Sequence, residues 1–300
     1  MHAAFSKSLQ AIVEADDLKL QEVVDTYDYV CHGHECGIQV FPRSYRAENL
    51  LRAHYYAKVA HASNCDVSGE EQIRSKGKNR SVAAELETSP GLSPASLRLI
   101  EKRVITGEVP VEVGEVKTIT SPRSASADKE SAQKPAGRRA ANSIRPICRA
   151  FLEFPYDRHL ALQISGIQTN TYQTVFKILR SVGIERLHQQ RIFYGELSWT
   201  APQDDGDKFV ILLNAGEWIA KRLTPYTVVV NWRNWTKTAR LRLKNELEIA
   251  RKENMAAKKQ NRSQRTFLFF LGPQDPDKLS HFSVNDQRLI CTIHADLCFP

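Results

Sequence analysis

The stretch Tyr29–Cys65 reads YVCHGHECGIQVFPRSYRAENLLRAHYYAKVAHASNC and holds three of the six cysteines and four of the nine histidines of the chain. Four residues separate Cys31 from Cys36, and three separate His61 from Cys65. These spacings are typical of the two knuckles of a tetrahedral zinc site. The glycine directly after Cys36 supplies the permissive backbone that a tight knuckle needs. The stretch therefore predicts a metal-binding module.

The ligand set follows from the same residues. Zinc needs about four nitrogen or sulfur ligands, and short spacings lower the entropy of bringing them together. We predict Zn²⁺ bound by Cys31, Cys36, His61 and Cys65. His54 is the first substitute, and His32 or His34 could replace a member of the first pair. Four protein ligands leave no open coordination position, so such a site is structural rather than catalytic. The alternative is a reduced domain with ordinary buried cysteines and surface histidines.

The order of residues in this stretch resembles a known family. A tyrosine, a cysteine pair ending in Cys36-Gly37, a short basic segment, Ala53-His54-Tyr55-Tyr56 and then Ala60-His61 with Cys65 look like the N-terminal zinc-finger-like region of the competence-protein CoiA-like family. The resemblance covers the chain up to about residue 70. The resemblance implies a metal-binding module in a DNA-uptake or mobile-element setting. It implies no enzymatic activity for this chain.

Composition favours a globular protein outside the membrane. The chain has 300 residues, of which 42% are hydrophobic and 25% charged, and its formal net charge is +8. No apolar run reaches the roughly 18 residues of a membrane span, and the N-terminus is a poor secretory signal. The unevenly placed cysteines do not form a disulfide framework, so we expect a reducing cytoplasm, where zinc is favoured over disulfides. The positive charge permits nucleic-acid contact without requiring it.

The predicted fold class is α+β, in three parts. Residues 1–67 form a small zinc-ribbon-like module. Residues 68–142 form a linker with one short helix, for which Ser93 is the N-cap candidate and Pro94 the first helical residue. The low-complexity composition of the later part of this segment predicts that it is flexible. Residues 143–300 form a mixed α+β domain with a long basic helix.

The elements of that domain follow from hydrophobic periodicity. We expect a long helix over about 237–260, an amphipathic helix over 171–183 and an aspartate-rich turn at 202–207. The strands are predicted at 160–168, 191–199, 209–213, 226–232, 266–271 and 288–294. In the metal module, a strand is predicted over 38–41, and helical spacing over 49–60 would place His54 on a helix or loop.

The long helix concentrates positive charge. Residues 236–265 contain ten basic and three acidic residues, a balance of +7. Such a patch can neutralise phosphates, and we predict nucleic-acid contacts from Lys244, Arg251, Lys252, Lys258 and Lys259. The alternative is a solvated helix face. All four tryptophans fall within 199–235. They could stack on bases, although aromatic residues in such strands mostly build cores.

The remaining motifs support catalysis poorly. Cys291, His294 and Cys298 have ligand-like spacing, but a strand there would split them between two faces. Asp204, Asp205 and Asp207 fit a hairpin turn better than a cation site. No phosphate loop or nucleophile elbow is present. The sequence therefore predicts a zinc-binding, nucleic-acid-associated protein. The alternatives are a protein-interaction adaptor with a structural zinc, or a nuclease whose active site the sequence does not locate.

Overall fold

In the computed structural model the chain adopts a mixed α+β fold whose described residues form three buried clusters. One cluster belongs to the N-terminal module, one to the interior of a β-barrel and one to the region between them. The structure describes residues 1–21, 23–33, 35–46, 48–49, 51–63, 65–89, 91–99 and 138–299. Most of the predicted linker, residues 100–137, lies outside the described residues.

The N-terminal module is built from two small sheets. Strands β1 (Ala3–Ser6), β2 (Ala11–Glu14) and β3 (Tyr29–Val30) form a sheet in the order β2-β1-β3, and β4 (Val40–Arg43) pairs with β5 (His54–Ala57). A 3₁₀ helix, Ala15–Leu20, follows β2. The predicted helical spacing around residue 54 is therefore wrong. Pairing with β4 extends this segment, and alternation buries Tyr55 while His54 is exposed.

The described part of the predicted linker is folded. Helices α1 (Asp66–Gly77) and α2 (Ala83–Thr88) precede β6 (Ser96–Leu97), so the helix predicted from Ser93 onward is wrong over the described residues. β6 lies between β7 (Ala140–Ala141) and β8 (Gln163–Ile164) in a parallel sheet, which fixes it as a strand. Side chains between residues 82 and 97 join the central cluster together with α3, so this part of the predicted linker is packed into the core.

The central cluster also contains α3 (Ile144–Glu153), which has a strongly apolar face. The helix predicted over 171–183 is a single turn, α4 (Tyr172–Val175), followed by strand β9 (Phe176–Ile178). β9 pairs in parallel with β10 (Ile192–Glu196), and Phe176 stacks on Phe151 with ring centroids 4.0 Å apart. This tertiary pairing overrides the local helical pattern. The strand predicted at 160–168 contracts to β8.

The C-terminal strands close into a barrel. After β10 come β11 (Gln203–Asp204), β12 (Lys208–Ile219), β13 (Arg222–Asn231), α5 (Lys237–Lys259), β14 (Arg265–Leu271), β15 (His281–Val284) and β16 (Ile290–Ala295). The two four-stranded sheets run β16-β14-β10-β9 and β11-β12-β13-β15. An antiparallel bridge between Leu197 and Leu213 joins β10 to β12. The predicted long helix is confirmed as α5.

The barrel interior follows from alternation along the strands. Inward side chains such as Phe193, Ile211, Val228 and Phe270 are almost fully buried, and Leu247 of α5 packs against the same cluster. If β15 and β16 count as one interrupted strand, the barrel order is first-second-third-fifth-fourth, with the helix between the third and fourth strands. This is the connectivity of the OB-fold, a five-stranded Greek-key barrel.

Buried ion pairs join the three parts. Arg145 of α3 is nearly inaccessible, and its Nη2 donates to Glu246 Oε2 of α5 at 2.6 Å. Its Nε lies 3.4 Å from Asp16 of the module, and its Nη1 donates to the Thr292 carbonyl of β16 at 3.3 Å. Arg52 makes a bidentate pair with Glu253 of α5. These contacts hold the module in one position against the barrel.

Candidate metal centre

The first pair of candidate ligands lies on a tight loop after β3. The Cys31 N–H donates to the Ile38 carbonyl at 2.8 Å, and the Cys36 N–H donates to Gly33 at 3.2 Å. Glu35 and the glycine after Cys36 both have φ of +52°, a left-handed conformation that turns the chain sharply. The loop therefore brings the two sulfurs to the same side of the module.

The second pair follows β5 and ends at the start of α1. The Cys65 N–H donates to the Ala62 carbonyl at 3.0 Å, which forms a turn between His61 and Cys65. Cys65 is the N-cap residue of α1 and is buried, whereas His61 is half-buried. A helix N-terminus carries partial positive charge, so it favours a thiolate at this position.

The four side chains converge on one point. The ligand atoms of Cys31, Cys36, His61 and Cys65 all lie within 4.8 Å of one another. The sulfurs of Cys31 and Cys65 are 3.7 Å apart, and His61 Nδ1 lies 3.5 Å from the sulfurs of Cys36 and of Cys65. Zn–S bonds of about 2.3 Å at the tetrahedral angle separate two sulfurs by about 3.8 Å, and a sulfur from a nitrogen by about 3.6 Å. These three separations therefore match those of a tetrahedral metal site, and the four ligand atoms lie close enough to hold one ion.

The same distances exclude a disulfide in this structure. A disulfide needs an S–S separation of about 2.05 Å. The three sulfurs of the cluster belong to free cysteines, and Cys31 and Cys65 remain 3.7 Å apart. The residues present thus fit a metal ion that holds the two loops together.

Backbone N–H groups donate hydrogen bonds to cysteine sulfurs of the cluster. Gly33 donates to the Cys31 sulfur at 3.4 Å. Burial opposes ionisation of Cys36, but hydrogen bonds from the backbone N–H groups of Ala62 and Ile38 outweigh it and lower the pKa of Cys36 to about 6. Burial raises the pKa of Cys31, and it also raises the pKa of Cys65. A metal bound by three thiolates carries net negative charge, and these N–H donors compensate part of it.

The substitute ligands lie elsewhere. The exposed His54 is on β5, where its Nδ1 lies 3.3 Å from the Arg52 carbonyl, and it is not part of the cluster. His32 is also outside the cluster, with Nε2 3.9 Å from a carboxylate oxygen of Glu70. His34 is outside the described residues.

The predicted nucleic-acid contacts on α5 fall into two groups. Lys244 pairs with Asp204 at 2.6 Å, and Lys252 pairs with Glu248 at 2.7 Å. The other three have no acidic partner among the described residues, and two of them contact Trp199: Arg251 donates to its carbonyl at 2.9 Å and Lys258 covers its ring. Lys259 is exposed beside them. Ion pairs, one within α5 and one with the distant Asp204, thus divide a patch that looks continuous in sequence.

The tryptophans divide in a similar way. Trp232 is buried, stacks on Phe209 and donates from Nε1 to the Gly206 carbonyl, so it belongs to the core as predicted. Trp235 donates to the Asn285 carbonyl. In contrast, Trp199 and Trp218 are 47% and 61% exposed. The prediction that these aromatics mainly build the core is therefore wrong for Trp199, which lies beyond β10, and for Trp218, which lies near the end of β12.

The two other candidate ligand motifs, at residues 291–298 and 204–207, do not form a metal site among the described residues. Cys291 is buried in β16, Cys298 is exposed, and His294 Nδ1 lies 2.9 Å from the Thr266 hydroxyl. Asp204 accepts from the Gly206 N–H at 3.0 Å, as in a turn, and Lys244 lowers its pKa. Over the residues that the structure describes, the three-cysteine and histidine cluster is the one group with metal-ligand geometry.

A polar cavity that sequence reasoning missed lies at the edge of the module. It has a volume of about 120 Å³ and lies between the module, α1 and the start of α3. Its lining includes His2, Glu14, Asp17, Glu70 and Arg149. These residues are far apart in sequence, so no local pattern signals the cavity.

Comparison with known proteins adds no assignment. No family model, curated protein or solved structure matches the chain. The resemblance to the CoiA-like region therefore stays a hypothesis based on the residues of the N-terminal stretch. Among the described residues, no helix combines the length and apolar character needed to cross a membrane.

Proposed function

We propose that the protein is a zinc-stabilised, nucleic-acid-binding protein. The observation that carries the zinc assignment is the tetrahedral spacing of Cys31, Cys36, His61 and Cys65. A tetrahedral set of thiolates and an imidazole suits Zn²⁺ among the common cellular metals. With four protein ligands the ion has no position for substrate, so its role is to hold the module folded. Three reduced thiols also suit a reducing compartment such as the cytoplasm.

The charge distribution on α5 supports the nucleic-acid assignment. Glu246 and Glu253 are engaged by Arg145 and Arg52 from other parts of the chain, so they do not neutralise the exposed cations of α5. Exposed Lys258, Lys259 and Arg262 remain together at the C-terminal end of the helix. Phosphates bind such clusters with release of counterions.

The barrel supports the same assignment at the level of the fold. OB barrels use the face of their second and third strands and the loop between their first and second strands to bind oligonucleotides and oligosaccharides. In this chain that loop follows β10 and contains Trp199, whose ring contacts Lys258. The basic end of α5 therefore contacts the loop that corresponds to a ligand-binding loop of OB barrels. The DNA-uptake or mobile-element setting rests on the CoiA-like resemblance and is part of the proposal only in that sense.

Neutralising the exposed cations at the C-terminal end of α5 tests the site. We expect the triple variant Lys258→Gln, Lys259→Gln and Arg262→Gln to weaken binding to all nucleic-acid sequences alike. Each lost phosphate contact removes about 0.7–0.9 from the slope of log affinity against log salt. The matched control is Lys244→Gln with Lys252→Gln, which removes cations already paired with acids and should change the slope by less than one contact. Titrations at several salt concentrations measure both slopes.

The binding titrations also distinguish the proposed nucleic-acid binding from the two alternatives, a protein-interaction adaptor and a nuclease. If the wild-type protein binds neither single- nor double-stranded DNA or RNA at low salt, the nucleic-acid assignment is wrong. A protein-interaction adaptor then becomes the better assignment, supported by the apolar tip of the β12–β13 hairpin, where Trp218 and Ile219 are exposed. Cleavage that depends on divalent cations would instead indicate a nuclease. Equal slopes for the triple variant and the wild type would place the contact elsewhere on the chain.

A further inference from the structure

Trp199 is an exposed aromatic residue held in a fixed position. It lies in the loop between β10 and β11, and 47% of its surface is accessible. Arg251 Nη2 donates to its carbonyl at 2.9 Å, and the Lys258 ammonium lies 4.1 Å from its ring centroid. The loop is thereby tied to two residues of α5, while much of the indole surface stays open to solvent.

The other tryptophans show what is particular to Trp199. The indole N–H groups of Trp232 and Trp235 are used in hydrogen bonds within the barrel. Trp218 is more exposed than Trp199, but no cation covers its ring among the described residues. Trp199 alone among these four combines an open ring, a restrained backbone carbonyl and a Lys ammonium over the exposed ring.

We infer that Trp199 is a stacking platform for an unpaired base, so that the ligand of this protein is single-stranded nucleic acid. This inference rests on the proposed nucleic-acid function and specifies its substrate class. Bases in a duplex already stack on their neighbours and pair with the other strand, so their faces are not available to an indole ring. A single strand can present a base to Trp199 and its phosphates to the end of α5.

A base that stacks on Trp199 replaces the Lys258 ammonium on the ring, and the energies of the two contacts favour this replacement. A cation over an exposed aromatic ring contributes about 2- to 5-fold to an equilibrium constant. A stacked base contributes about 5- to 150-fold. A base therefore displaces the ammonium from the ring at a net gain. The displaced Lys258 remains within reach of the adjacent phosphates, where it joins Lys259 and Arg262.

The test compares single strands with a duplex. Fluorescently labelled oligothymidine and oligouridine of about 15 nucleotides, within the range of site sizes of single OB barrels, serve as the single strands. A mixed-sequence duplex of the same length is the competitor. We expect the wild-type protein to prefer both single strands over the duplex. We expect Trp199→Ala to weaken single-strand binding by about 5- to 150-fold and Trp199→Phe to recover part of the loss.

Two readouts separate stacking from charge and from misfolding. Stacking involves no counterion release, so Trp199→Ala should leave the salt slope of single-strand binding unchanged, unlike the triple cation variant. The matched control is Trp218→Ala, which removes a more exposed indole at the tip of the β12–β13 hairpin and should change affinity less than 2-fold. Unchanged zinc content and melting temperature show that each variant is folded.

Several outcomes overturn the inference while the proposed function survives. These are single-strand binding that Trp199→Ala does not affect, a preference for the duplex, or an equal loss in Trp199→Ala and Trp218→Ala. If the wild-type protein binds no nucleic acid at low salt, the proposed function fails and the inference fails with it. If Trp199→Ala loses the same affinity for oligothymidine and for oligouridine, Trp199 stacks on bases of both DNA and RNA. A loss of affinity for one of them alone identifies that nucleic acid as the ligand.

Discussion

Cys31→Ser is expected to release the metal and unfold the N-terminal module. Serine is a poor zinc ligand, and three remaining ligands leave the ion exposed to water. Structural zinc in small domains contributes on the order of 10–16 kcal/mol of apparent binding free energy, which is also folding free energy. The buried cluster of the module is small and includes Cys31 and Cys65 themselves. Its remaining apolar contacts are therefore too few to compensate for the lost metal-binding free energy.

Elemental analysis in reducing buffer measures the metal, with about one zinc per chain expected for the wild type and almost none for the variant. The difference in near-ultraviolet circular dichroism between variant and wild type reports its folding, because Tyr29 and Tyr55 contribute from the module core with ring centroids 5.3 Å apart. Cys298→Ser is the matched control, because it removes an exposed thiol outside the cluster. Wild-type protein that contains no metal and still shows the ordered tyrosine signal would contradict the assignment.

A pair of histidine variants tests the ligand set itself. His61→Ala should lose the metal, because His61 Nδ1 lies 3.5 Å from two of the sulfurs. His54→Ala should keep it, because His54 is exposed on β5 and outside the cluster. The reverse result would show that the ligand set assigned here is wrong and that His54 completes the site.

Arg145→Met is expected to destabilise the whole chain. Breaking a buried ion pair by removing one partner costs about 3–5 kcal/mol, since the remaining charge is left without compensation. Here the remaining charges are Glu246 and, in part, Asp16, which retains Arg149 at 2.7 Å. Burial opposes ionisation of Glu246, but Arg145 and Arg242 outweigh it and hold its pKa below the usual range. Removal of Arg145 therefore raises the pKa of Glu246.

Urea unfolding at neutral pH measures the loss of stability. The control is Lys252→Ala, which breaks the exposed pair with Glu248 and should cost only about 0.3–0.5 kcal/mol. Adding Glu246→Gln to Arg145→Met should restore part of the stability, because the amide carries no charge and its oxygen can still accept from the Thr292 N–H, as Glu246 Oε1 does. A loss below about 1 kcal/mol in Arg145→Met would show that solvent reaches this network.

The depressed pKa of Glu246 predicts in which direction the folding stability changes with pH. A carboxyl whose folded pKa is depressed contributes stability that is present above its unfolded pKa, near 4.3 for glutamate, and is lost as pH falls through the folded pKa. For Glu246 we therefore expect the wild type to lose stability as pH falls below about 4. In Arg145→Met this acid-dependent loss should become smaller, because the depressed pKa requires the arginine.

The sequence by itself determined the features that depend on short spacings. The ligands Cys31 and Cys36, and likewise His61 and Cys65, are close along the chain, so local turns bring each pair together. The helix α5 follows from apolar residues at helical spacing, Ala239, Leu243 and Leu247. The mixed α+β class and most barrel strands follow from alternation of apolar residues in the same way.

Only the tertiary structure decided the features that depend on distant partners. Phe176–Ile178 form β9 because β10 offers them a parallel neighbour, and apolar side chains between residues 82 and 97 are core because they pack with α3. Lys244 and Lys258 look equivalent in sequence, yet Asp204 pairs with the first and the Trp199 ring lies beneath the second. The physical reason is that local patterns encode backbone preferences and amphipathicity. Which charge is paired, and which aromatic ring stays exposed, is determined by long-range packing.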